Sequence, residues 1–290
     1  MTNSGGTSMS LIVGVHGIRN YYPGHSPEGV AAQKAALWAE HLAAGLGRPL
    51  DDGDMAFAYY AHHLWRDLPV PQGSYDGLDN LTPAEAELAR HWLEALDLPE
   101  ATVQGRLFVP VRHAVEMVAK RFDLDGPRLR IFSLDLLREL AAYVRVPDAP
   151  ARHAAREEVA SVIATHRPRV VIAHSLGTVV TYEALHAHPE LSVDLFITLG
   201  SPLALPHGVF HRLQPEPVAN KGVRPPGVAR WVNVADRGDP VAVLRPLRRY
   251  FDGVELDLPE LIGLFAFHGV EKYLRTQAVA DALEPYLPAR

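Results

Sequence analysis

The segment Val170-Val171-Ile172-Ala173-His174-Ser175-Leu176-Gly177 restricts what this chain can fold into more than any other stretch. Its unbroken apolar start reads as a strand buried on both faces, and such strands belong to parallel sheets covered by helices. After Ser175 the positions Leu176, Val179, Val180, Glu183, Ala184 and Ala187 recur at three- and four-residue steps, which predicts a helix. A chain that turns from strand to helix at one serine holds that serine in a sharp, strained elbow. The turn needs small residues two before and two after the serine, and Ala173 and Gly177 stand there. The N–H groups at the start of the helix favour negative charge on the serine oxygen.

The rest of the chain supports an α/β domain over residues 11–290. Leu11 to Val15 reads as a strand, about Glu28 to Leu46 as a helix and Met55 to Tyr60 as a second strand. From about residue 62 to residue 148 this alternation breaks. The spacing there predicts three helices, near Pro83–Leu96, Arg106–Phe122 and Arg130–Val144, with Pro69 to Ser74 as a loop. We read 62–148 as a helical insertion covering one end of the sheet. Alternation then resumes with a helix at about Arg152–His166, strands at Arg169–Ala173 and Val193–Leu199, and an irregular stretch from Gly200 to Gly227 holding six prolines. Strands at Val228–Val234 and Gly253–Leu258 and one closing helix over Val270–Tyr286 complete the expectation. Residues 1–10 are polar and are expected to be disordered.

A serine in such an elbow becomes a nucleophile only with partners. An earlier loop must turn backbone N–H groups toward the developing oxyanion, and Val13-Gly14-Val15-His16-Gly17-Ile18 offers it after the first strand. Gly17 lets that loop approach without a side chain in the way, and His16 supports it. The N–H groups of Ile18 and Leu176 are the candidate oxyanion hole. The acid and the histidine should follow the serine in that order, on loops after later strands. Beyond Asp239 the chain holds one histidine, His268, which becomes the candidate base. Two carboxylates, Asp236 and Asp239, follow the strand ending near Val234. Asp239 is preferred because it sits in the turn before Pro240, where backbone N–H groups can hold an ionised carboxylate, and Asp236 is the alternative acid. His174 and Arg19 lie beside these residues, within reach of a substrate or with a structural part.

Taken together, Val15-His16-Gly17-Ile18, Ala173-His174-Ser175-Leu176-Gly177, Thr198-Leu199-Gly200-Ser201-Pro202-Leu203, Asp239-Pro240-Val241 and His268 resemble the α/β-hydrolase superfamily. Within it the chain looks like the lipase-like group of GPI-inositol-deacylase-like lipases and bacterial serine esterases. The resemblance implies a mostly parallel central sheet flanked by helices, a Ser175, Asp239 and His268 triad, and no cofactor. The expected activity is cleavage of a small-molecule or lipid-like carboxylic ester through an acyl-enzyme on Ser175. An amidase, peptidase or thioesterase would use the same triad, and a binding protein could keep the fold without turnover.

Composition removes other classes. The formal net charge is −6 and the basic residues gather only in the short Arg245, Arg248, Arg249 cluster, so no nucleic-acid partner is expected. The absence of cysteine removes disulfides and thiolate chemistry. The histidine pairs His62 with His63, His186 with His188, and His207 with His211 lack an H-E-x-x-H arrangement and read as surface residues, so no metal is expected. No glycine pattern suits a nucleotide. Apolar runs such as Leu261 to Phe267 are too short to span a membrane, and the N-terminus lacks the order of a signal peptide, so a cytoplasmic location is expected.

Overall fold

A strand buried on both faces needs apolar side chains at even and odd positions alike, because they alternate between two layers. The computed structural model, which describes residues 10–65, 75–98, 102–103, 106–107, 110–242, 246–263 and 268–288, shows that division. In chain order the first elements are β1 (Ile12–Val15), α1 (Pro27–Leu46), β2 (Met55–Ala58), α2 (Ala61–Trp65), α3 (Pro83–Ala95), β3 (Thr102–Val103), β4 (Arg106–Leu107), α4 (Val111–Phe122) and α5 (Gly126–Val144). They are followed by α6 (Pro150–His166), β5 (Val170–His174), α7 (Leu176–Ala187), β6 (Val193–Leu199), β7 (Gly222–Val223), β8 (Val228–Asp236), β9 (Phe251–Asp252), β10 (Val254–Glu260), α8 (Val270–Tyr273) and α9 (Gln277–Leu283).

Six strands form one parallel sheet in the order β10-β8-β6-β5-β1-β2. Val13, Val15, Val171, Ala173, Phe196 and Trp231 face a core shared with α2 to α7. Ile12, Val170, Ile172, Ile197 and Val232 face the opposite way, against Trp38 and Leu42 of α1 and Tyr273, Val279 and Leu283 of the C-terminal helices. Helices therefore cover both faces, as the apolar strand runs require. From β1 the chain passes to β2 on one side and returns to β5 on the other, so the strand order reverses between β1 and β5. At such a reversal the loops leaving the carboxyl ends of the strands diverge and open a crevice. Ser175 and the His16-Gly17 loop stand at those two ends.

Local signals account for most boundaries. Ser26 accepts from Gly29 N–H at the start of α1, and Gly47 ends it with φ +64°. Thr82 and Glu85 form a reciprocal capping box on α3. Three expectations are corrected. The helix anticipated from Arg106 begins at Val111, because Arg106–Leu107 pairs antiparallel with Thr102–Val103 and Pro110 takes the position before the first turn. The helix anticipated from Arg130 begins at Gly126, where Asp125 accepts from Arg128 N–H. The single closing helix is broken between Tyr273 and Gln277, because Thr276 turns back to bond Tyr273 O and starts α9 by accepting from Val279 N–H. The loop Pro69 to Ser74 and most of residues 1–10 lie outside the described residues. Ser10 itself is buried, with Oγ 3.1 Å from His166 Nδ1.

A charged cluster ties the region before β5 to the sheet. Arg152 of α6 and Glu183 of α7 are fully buried and paired, and Glu183 Oε2 accepts from Tyr143 Oη at 2.7 Å and Arg152 Nε at 3.0 Å. Glu183 Oε1 accepts from Gln214 N–H and from Arg152 Nη2, which also donates to Arg212 O. Helices α5 and α6 and the proline-rich segment after β6 thus meet on one carboxylate of α7. Loss of one partner from a buried pair costs about 3–5 kcal/mol, since it strands the other charge. Among the described residues no helix is long and apolar enough to cross a membrane.

Candidate active site

Strand β5 delivers Ser175 into a backbone conformation with φ +53° and ψ −129°, which side-chain-bearing residues rarely adopt. Hydrogen bonds on both sides hold it there. Ser175 N–H donates to Leu199 O of β6 at 3.0 Å, and Ser175 O accepts from Thr178 N–H at 2.9 Å and Thr178 Oγ1 at 2.7 Å. Ser201 Oγ lies 2.8 Å from Thr178 Oγ1 and accepts from Leu203 N–H, which braces the same turn from the loop after β6. A methyl group on Gly177 would run into the carbonyl of His16, so only glycine lets α7 start this close to the β1 loop. Ser175 is fully buried, and among the described residues its Oγ has no hydrogen-bond partner.

The loop after β1 is equally constrained. Tyr60 N–H donates to His16 Nε2 at 3.1 Å, which leaves the ring proton on Nδ1 to donate to Gly17 O at 2.7 Å. Burial pushes the His16 imidazole down to about 3, so the ring is neutral and acts as a brace. Tyr60 Oη donates to His16 O, and Asn20 Nδ2 donates to Gly17 O and Ile18 O. With these carbonyls turned away, the loop presses on the elbow: a Cβ on Gly17 would lie 2.5 Å from that of Ser175. Gly17, the residue before Ile18, thus touches Ser175, and Leu176 is the serine's chain neighbour.

Arg19, the next residue, has φ +63°, and its N–H donates to Glu139 Oε1 of α5 at 2.7 Å, while Arg19 Nε lies 3.1 Å from Asp135. Burial raises the Glu139 carboxyl from 4.5 to about 8, against the lowering effect of the Arg19 N–H. A folded value above the unfolded one means that its contribution to stability is full below about pH 4.5 and is lost as pH rises through about 8. Glu139→Gln keeps an oxygen for Arg19 N–H but cannot ionise. The drop in unfolding free energy between about pH 5 and about pH 8.5, read from urea titrations, is expected to shrink by on the order of a few kcal/mol in that variant. An identical drop in both proteins would show that Glu139 does not titrate across this window.

The two carboxylates after β8 have separate tasks. Asp239 Oδ2 accepts from His268 Nδ1 at 2.7 Å and from Tyr273 Oη at 2.8 Å, and its Oδ1 accepts from Val241 N–H at 2.8 Å. Asp236 Oδ1 accepts from Gly238 N–H at 2.7 Å and Oδ2 from Ile262 N–H at 3.0 Å, so it closes the turn and joins it to the end of β10. The carboxylate that meets His268 is thus Asp239. Gly200, with φ +53°, lies beneath the pair, and a Cβ there would stand 2.8 Å from Asp239 Oδ2 and 3.0 Å from His268 Cε1. His268 Nδ1 donates to Asp239, so its other ring nitrogen, Nε2, points away from the carboxylate, and among the described residues it has no hydrogen-bond partner. The His174 ring lies 4.6 Å from that of His268, and burial first, then His268, holds it well below the usual imidazole range.

Three contributors were not apparent in the sequence. Tyr273 links the Asp236 backbone to the Asp239 carboxylate: its hydroxyl accepts from Asp236 N–H and donates to Asp239 Oδ2, and burial, then Asp239, keeps its phenol protonated. Phe132 of α5 meets the His268 ring edge-on at 5.2 Å. Trp92 of α3, fully buried, donates from Nε1 to Pro240 O at 2.6 Å. Nothing in a tyrosine, phenylalanine or tryptophan at helical spacing separates these parts from ordinary packing. Phe267, beside His268, lies outside the described residues.

This is an α/β protein whose six-stranded parallel sheet gathers a serine, a histidine and a carboxylate at its carboxyl edge. No known protein family, curated protein or solved structure matches the chain.

Proposed function

We propose that the chain is a serine hydrolase of α/β-hydrolase type that cleaves a carboxylic ester. The observation that carries this reading is the Asp239–His268 hydrogen bond, which turns His268 Nε2 away from the carboxylate, on the same sheet edge as Ser175 in its strained elbow; among the described residues neither Nε2 nor Ser175 Oγ has a hydrogen-bond partner. The order β1 loop, β5 serine, β8 carboxylate and β10 histidine along one sheet edge is the order a nucleophile elbow requires. In this mechanism His268 Nε2 takes the Ser175 proton as Oγ attacks the acyl carbonyl. Asp239 holds the imidazole tautomer and stabilises the cation that forms, while the N–H groups of Ile18 and Leu176 receive the oxyanion. The protonated imidazole then gives its proton to the leaving alcohol, and water releases the acyl group through the same base. Helices α3 to α5 serve as the helical insertion over the site, reaching it through Trp92, Phe132 and Glu139.

The test is covalent labelling of the purified protein with a fluorophosphonate, followed by peptide mapping and a screen of p-nitrophenyl esters of graded chain length beside amide and thioester analogues. One label on Ser175 and ester turnover are expected. A label on a different serine, or none, would remove the reading. Faster turnover of the amide or thioester than of every ester would keep the triad and change the substrate class.

A further inference from the structure

We propose a divalent transition-metal site, with zinc as the fitting ion, formed by His62 and His63 of α2 and Glu158 of α6. Consecutive residues on a helix diverge by about 100°. The His62 and His63 rings nonetheless converge, with centroids 3.9 Å apart and planes tilted by 41°. Glu158 Oε2 stands 3.5 Å from His63 Nε2, and one ligand atom from each of the three side chains lies within 4.8 Å of the others. Tetrahedral zinc, with bonds of about 2.0–2.2 Å, needs neighbouring donors roughly 3.3–3.5 Å apart. Side-chain rotations that close the remaining gap of about an ångström would let all three bind one ion.

The donor set and its surroundings suit that ion. Two imidazoles and one carboxylate favour zinc and its neighbours over magnesium or calcium, which take oxygen. The Tyr59 ring stacks on His62 at 5.5 Å and 23°, which sets the plane of that ligand. All three ligand side chains are half-buried, and Tyr59 and Glu158 line a surface cavity of about 460 Å³, so water can complete the coordination. Among the described residues this is the one cluster of three potential ligands that close together. The sequence conceals the site because Glu158 belongs to a helix far along the chain from His62 and His63. An ion here would pin α2 to α6 two residues after Tyr60, whose N–H and hydroxyl hold His16.

The proposal is independent of the hydrolase reading and is tested without an activity assay. Chelator-stripped full-length protein is titrated with zinc chloride, and with magnesium chloride as a control, by isothermal calorimetry. About one equivalent of zinc is expected to bind, and magnesium is not. Losing a residue that only supports a ligand costs about 10–100-fold in affinity, so His63→Ala and Glu158→Gln should each weaken binding at least that much. The His62→Ala/His63→Ala double variant should lose the site, and His207→Ala/His211→Ala should keep it. Circular dichroism verifies the fold of each variant. Should a variant not fold, anomalous diffraction at the zinc edge from wild-type crystals decides, with a peak expected between the three side chains. Unchanged zinc binding in the folded double variant, or a zinc peak elsewhere with none here, would overturn the proposal.

Discussion

Ser175→Ala is expected to lose about 10⁶-fold in kcat on a short p-nitrophenyl ester and at the same time to unfold at higher urea concentration than the wild type. The first effect follows from the proposed mechanism, in which no other atom can form the acyl-enzyme. The second follows from the structure alone. Ser175 Oγ is buried without a hydrogen-bond partner among the described residues, and an unsatisfied buried hydroxyl costs about 1–3 kcal/mol. Alanine keeps the β-carbon that packs on Gly17 and removes the stranded oxygen, so a gain of roughly 1 kcal/mol is expected. The opposing signs are informative, because a serine kept for structure would lose stability when truncated. A variant that is dead and less stable would mean that Oγ has a structural partner. One that turns over normally would remove Ser175 from the chemistry.

Asp239→Asn and Asp236→Asn should separate by orders of magnitude although the residues are only three apart. In Asp239→Asn the new amide can still accept from Val241 N–H, but its NH₂ would face the Tyr273 hydroxyl and the His268 Nδ1 proton. The imidazole is then driven to place its proton on Nε2, where it can no longer accept from serine, and a loss of roughly 10³–10⁴ in kcat is expected with the fold retained. Asp236 accepts from Gly238 and Ile262 N–H, which closes its turn, while the His268 Nδ1 proton goes to Asp239. Replacing one charged acceptor there should cost about 1–2 kcal/mol of stability and little turnover. Both quantities come from kcat on one short ester and urea midpoints checked by far-UV circular dichroism. An inactive Asp236→Asn beside an active Asp239→Asn would reverse the assignment. Activity in both would point to a histidine oriented without a carboxylate.

The sequence by itself determined the parallel sheet, its two apolar faces and the strand-serine-helix turn at Ser175. Those features are local: a strand buried on both sides must be apolar at every position, and a helix repeats every three to four residues whatever lies far along the chain. Chain order alone also narrowed the candidate base to His268. Tertiary structure decided everything that depends on which distant segments meet. The turn before Pro240 favoured Asp239 over Asp236, but only the placement of Tyr273, Ile262 and His268 around β8 gives the two carboxylates their different partners. The break after Tyr273 is decided in the same way, since it lets that hydroxyl reach both carboxylate turns. Glu139, Phe132 and Trp92 reach the site from the helices of 62–148, and Glu158 meets His63 across two helices, because packing joins residues that no sequence spacing relates. Burial patterns are written along the chain one element at a time, whereas a hydrogen bond between elements exists only once both are packed.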